Sequence, residues 1–96
     1  MTLAVWKYPL QKDSYHIVDL PVGAEVLSFQ MQQGVPTIWA LVDVNGSLGR
    51  RMFRILATGE SLPDKNLKYI GSVQDHAFVW HLFEQGGNFI EFKDKS

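Results

Sequence analysis

Ninety-six residues with a formal net charge of −1, 46% hydrophobic residues and no cysteine fit a single domain that can bury a core. Charges of both signs are scattered along the chain, so there is no electrostatic reason to expect DNA or RNA as a partner. The absence of thiols excludes disulfides and thiolate metal sites.

The N-terminal MTLAVWKYPL has no basic segment leading into an apolar run, and no apolar stretch approaches the length of a bilayer span. The expectation is a cytoplasmic protein with no membrane partner. Leu3 to Tyr8 reads as a short strand, with Pro9 at its end. Gln11-Lys12-Asp13-Ser14 is a polar turn, and Tyr15 to Leu20 alternates, Tyr15 and Ile17 on one face, His16, Val18 and Leu20 on the other. These segments predict an N-terminal hairpin. Pro21-Val22-Gly23 breaks the chain. In Ala24 to Gln32 the period of two is clean: Leu27, Phe29 and Met31 share one face, Ser28, Gln30 and Gln32 the other.

Gln33-Gly34-Val35-Pro36 then makes a tight connection into the most apolar part of the chain. Thr37 to Asp43 and Arg51 to Thr58, joined through Asn45-Gly46-Ser47-Leu48-Gly49, predict a central hairpin, because Asn and Gly tolerate the positive φ of hairpin turns. With the preceding strand they predict a meander. Glu60 to Asn66 is the longest loop, and Ser61 followed by Pro63 allows at most one helical turn. Leu67 to Gln74 and Ala77 to Glu84 predict another hairpin across Asp75-His76. Gln85 to Asn88 is a last turn, and Phe89 to Phe92 a short closing strand before a charged tail.

The fold class expected is all-β: a small antiparallel sandwich or partly closed barrel of about seven strands, in one domain over residues 1–96. Thr37–Asp43 and Phe78–Phe83 are apolar on both faces, so their sheet needs cover on both sides. Either the sheet folds over itself or a second copy covers it, which predicts a homo-oligomer.

No residue pattern carries catalysis. His16, His76 and His81 have no metal-type spacing, and no serine lies in G-x-S-x-G or S-x-x-K. Ser72 and His81 face each other across the predicted hairpin, but no third group is implied. Gly46-x-x-Gly49 has no following helix or Lys-Ser/Thr, so it is not a phosphate loop. The expected site is therefore a binding site with no cofactor, no metal and no catalytic residue. Arg50, Arg51 and Arg54 concentrate positive charge on one strand, and a buried arginine needs an anion or an ion-pair partner. Asp43 and Glu25 are the candidate internal partners. The alternative is a phosphate- or carboxylate-bearing ligand held by these arginines with Trp39, Trp80 and His81, since Trp and Arg are concentrated at interfaces and stack on nucleotides.

The segments VWKYPL, LPVGAEVLSFQMQQGVPTIWALVD, FRILATGE, YIGSVQ and FVWHLFE together cover most of the chain. In its Trp-Lys-Tyr start, Trp-Ala-Leu-Val-Asp and Val-Trp-His-Leu-Phe-Glu, the chain resembles a family of uncharacterised small proteins of bacteria and tailed phages. The resemblance implies no catalytic residues. With a phage origin, it implies an anti-defence protein that sequesters a nucleotide-like signal or blocks a host protein. The alternative is a structural or accessory phage protein acting only through protein contacts.

Overall fold

Seven segments of alternating or wholly apolar character become strands in the computed structural model, which describes residues 1–12, 15–63 and 66–86. They are β1 (Leu3–Pro9), β2 (Tyr15–Pro21), β3 (Glu25–Gln32), β4 (Val35–Asp43), β5 (Leu48–Ala57), β6 (Leu67–Asp75) and β7 (Phe78–Gln85). Among the described residues there is no helix, so residues 61–63 carry no helical turn, and none is long and apolar enough to cross a membrane. The closing strand expected over Phe89–Phe92 lies outside the described residues.

All pairings are antiparallel and fall into two sheets, a three-stranded one ordered β1-β4-β3 and a four-stranded one ordered β2-β5-β7-β6. The sheets are not closed into a barrel, so the architecture is the sandwich of the two alternatives. Residues alternating inward from both sheets fill one core: Phe29, Ile38, Ala40 and Val42 on one side, Leu20, Phe53, Ile55, Val73, Trp80 and Leu82 on the other. The second sheet thus supplies the inner cover that the apolar β4 requires.

Two expected hairpins form and two do not. β3–β4 and β6–β7 are hairpins. The first turns through Gln33 and Gly34, both at positive φ (49° and 81°), the geometry that suits the twist of a two-residue hairpin. The central hairpin is overturned: β4 pairs with β1 and β3, whereas β5 pairs with β2 and β7 in the other sheet. The segment still turns, with Gly46 N donating to the Asp43 carbonyl at 2.9 Å and Asn45 N to Asp43 Oδ1 at 3.1 Å, but Asn45, Gly46 and Gly49 do not take the positive φ expected of a hairpin loop. The same turn, however, carries the chain across the sandwich. The Val22 amide donates to the Ser47 carbonyl at 2.8 Å and fixes this crossing to the β2–β3 connection.

The N-terminal hairpin is overturned for a similar reason. β1 is drawn to β4, and the pairing continues beyond the strand, where Leu10 N donates to the Pro36 carbonyl at 2.8 Å. Leu10 is then buried in the core and β2 starts in the opposite sheet. A smaller correction concerns Leu27. The β3–β4 register shifts between Val26 and Ser28, leaving Leu27 as the extra residue of a bulge, exposed and off the face of Phe29.

Candidate functional site

Alternation along β5 sends Phe53 and Ile55 into the core and Met52, Arg54 and Leu56 to the opposite, outer side of the four-stranded sheet. Across that outer side the register aligns Tyr15 of β2, Arg54 of β5, Phe83 of β7 and Tyr69 of β6 in one row. The Arg54 guanidinium lies 5.4 Å from the centre of the Tyr15 ring, and Phe83 meets Tyr69 edge to face at 5.6 Å. Both contacts have favourable quadrupole geometry. Tyr15 and Tyr69 nevertheless remain 48% and 56% exposed. The Tyr15 hydroxyl reaches Met52 Sδ at 2.8 Å, which seats the ring over the neighbouring row.

The next row is Leu56, His81 and Ser72. His81 Nδ1 is 2.6 Å from Ser72 Oγ, its Nε2 is 2.8 Å from Thr58 Oγ1, and Ser72 Oγ is 2.7 Å from Tyr69 Oη. The result is a chain of four groups, Tyr69–Ser72–His81–Thr58. A neutral imidazole donates from one nitrogen and accepts at the other, so two polarities satisfy it equally. A Ser–His nucleophile needs a third group that fixes the ring and stabilises its charge. Among the described residues the far nitrogen meets the Thr58 hydroxyl, and the four groups form a polar patch with exchangeable donors and acceptors.

A bulge builds this patch. Tyr69 and Ser72 are three residues apart and would face opposite sides of a regular strand. The β6–β7 register shifts between Tyr69 and Gly71, so Ile70 is the extra residue, Tyr69 stands opposite Phe83 and Ser72 opposite His81. Re-aiming a side chain in this way is a recurrent use of bulges.

The six residues expected from sequence are not brought together. Arg54 and His81 share the outer face just described. Arg51 lies on the inner side with Phe53 and forms a two-pronged ion pair with Glu84, Nε to Oε2 at 2.7 Å and Nη2 to Oε1 at 2.9 Å. It also donates to the Ala24 carbonyl. The internal partner of the arginine cluster is thus Glu84, in place of Asp43 or Glu25. Arg50 is an exposed pair with Asp19 at 3.5 Å. Trp80 is a core residue, 7% exposed, stacked on Phe78 and donating from Nε1 to Asp75 Oδ2 at 3.2 Å. Trp39 alternates with the core residues Ile38 and Ala40 and so faces outward from the other sheet, on the opposite side of the molecule.

Asp75 also receives Lys12 Nζ at 2.7 Å. The Lys12 hydrogen bond, followed by that of the Trp80 indole, holds its carboxyl below the usual carboxylate range. This cluster is structural, tying the β1–β2 connection to the β6–β7 turn. Sequence reasoning misses Tyr15, Phe83 and Tyr69 as site residues. The pairing that aligns them is partly between distant strands, and the bulge leaves no period-two trace.

No curated protein and no solved structure matches the chain significantly. A family model does match residues 1–90, all seven strands and nearly the whole of the chain, and the chain belongs to that family, described as a domain of unknown function, DUF7352.

Proposed function

We propose that this chain is a non-enzymatic binding protein that docks a protein partner on the outer face of its four-stranded sheet. The observation that carries the reading is the row Tyr15–Arg54–Phe83–Tyr69, whose two tyrosines stay about half exposed. Tyr and Arg side chains, rigid and amphipathic or able to form several hydrogen bonds, dominate the energetics of protein interfaces. The adjoining Tyr69–Ser72–His81–Thr58 chain supplies hydroxyl and imidazole groups that can donate or accept, as an interface next to an apolar row requires. In its specific form, drawn from the likeness to phage proteins, the partner is a host defence protein that the chain blocks. Sequestration of a nucleotide-like signal is the less favoured form. Two of the three arginines behind that expectation are already paired with carboxylates, which leaves Arg54 with the aromatic rings.

The test compares the wild type with a Tyr69→Ala, Arg54→Ala double variant, each immobilised and exposed to host-cell lysate, with captured proteins quantified by mass spectrometry. One partner should be held by the wild type at fixed stoichiometry, with affinity falling roughly thirtyfold in the variant, the effect of about 2 kcal/mol at an interface hot spot. A captured virion or replication component would move the assignment to an accessory role at the same face. Calorimetric binding of cyclic nucleotides or ADP-ribose, lost in the variant, would replace the protein partner with the signal. Hydrolysis of an ester probe abolished by Ser72→Ala would overturn the non-enzymatic reading.

A further inference from the structure

Among the described residues β1 is an edge strand, exposed along most of its length, with Val5 54% and Trp6 41% exposed. Its hydrogen-bonding parity follows from the flanking contacts. The Thr2 carbonyl accepts from Val44 N at 2.8 Å, and Leu10 N donates to the Pro36 carbonyl at 2.8 Å. In the register Leu3↔Asp43 through Pro9↔Thr37, even-numbered residues therefore turn their N–H and C=O toward β4, and odd-numbered ones turn theirs away from it. The amides and carbonyls of Leu3, Val5 and Lys7 form an outward ladder, which Pro9, lacking an N–H, terminates. Edges of this kind are normally guarded by a charged side chain. Lys7 is the one charge on the strand, and it is turned inward across β4, donating to Gln32 Oε1 at 2.9 Å.

We propose that β1 pairs antiparallel with β1 of a second copy of this chain, about a two-fold axis passing through Val5. The three outward residues are self-complementary under that axis: Val5 meets the partner's Val5, and Leu3 meets the partner's Lys7 in hydrogen-bonded positions. The even residues between them pair Trp6 with the partner's Ala4, a large exposed ring over a small side chain, on both halves of the interface. On the outer side, Val5 already neighbours Leu41, so the junction continues an apolar row from Leu41 through both valines to the partner's Leu41. The three-stranded sheets of the two copies become one six-stranded sheet, an addition of strand to edge. The interface lies on the sheet opposite the Tyr15–Tyr69 row, so its failure and that of the binding face are separately observable.

At a two-fold axis a residue meets its own copy, and this supplies the test. The wild type at high micromolar concentration should sediment at twice its 10.9 kDa mass. Val5→Lys and Val5→Asp should each be monomeric with unchanged circular dichroism, and an equimolar mixture of the two should recover the dimer. Hydrogen exchange on the wild type needs no substitution: the Leu3, Val5 and Lys7 amides should slow as concentration rises, while Ala4, Trp6 and Tyr8 stay protected throughout. A wild type that remains monomeric, a Val5→Lys protein that remains dimeric, or a mixture that stays monomeric would each overturn the proposal.

Discussion

Arg51 holds both oxygens of Glu84 with side chains only 19% and 18% exposed, while Arg54 faces out over Tyr15. Their substitution should separate stability from binding. Arg51→Ala leaves a largely buried carboxylate and the Ala24 carbonyl without their donor, at a cost of about 3 kcal/mol. Arg54→Ala removes a surface cation–ring contact and should cost under about 1 kcal/mol. Urea denaturation of both variants measures the difference. Asp75 gives the pH dependence. Its folded value lies below its unfolded one because Lys12 and the Trp80 indole bond the charged form. The contribution is therefore complete above the unfolded value, about pH 3.9, and is lost as pH falls through the folded value. The stability gap between wild type and Asp75→Asn should be constant near neutrality and close on acidification below about pH 4.

Turns carry the clearest predictions at the scale of the element. His76 sits at φ 56° at the start of the β6–β7 turn, a conformation that costs a side chain roughly 1 kcal/mol and glycine little. His76→Gly should raise stability by up to about that amount in urea denaturation. Gly34→Ala should lower it by about 1 kcal/mol, for backbone reasons alone, since an added methyl would meet nothing within 4 Å. The same elements show why the sequence discloses strands better than partners. Alternation in Tyr15–Leu20 and the apolar run of Thr37–Asp43 reflect burial, which is a local record. The β3–β4 and β6–β7 turns hold their strands close in sequence, so those pairings, and the facing of Ser72 and His81, could be read. Asn45-Gly46 serves a hairpin or a crossing equally well, and the β5–β7 pairing that joins Arg51 to Glu84 is written in neither strand alone.

For the molecule as a whole, the two proposed contacts use different sheets. The binding row lies on the outer side of β2-β5-β7-β6, and the outward ladder lies on the β1 edge of β1-β4-β3. Pairing through β1 would leave the row open in both copies. A dimer would then present two copies of it, and binding to a partner with repeated sites would gain from effective concentration without any new contact.

The crossings between sheets also order the life of the nascent chain. β1 has no partner until β4 has been synthesised, and β2 has none until β5 follows it. β5 in turn lacks its second neighbour until β7, the last described strand, emerges. Between the synthesis of β5 and that of β7, then, β5 carries Phe53 and Ile55 beside an unpaired edge. Such surfaces are the substrates of chaperones and the seeds of aggregation. A four-stranded sheet wound in this way is complete only once β7 has been made, and truncation before β7 should leave it unable to form.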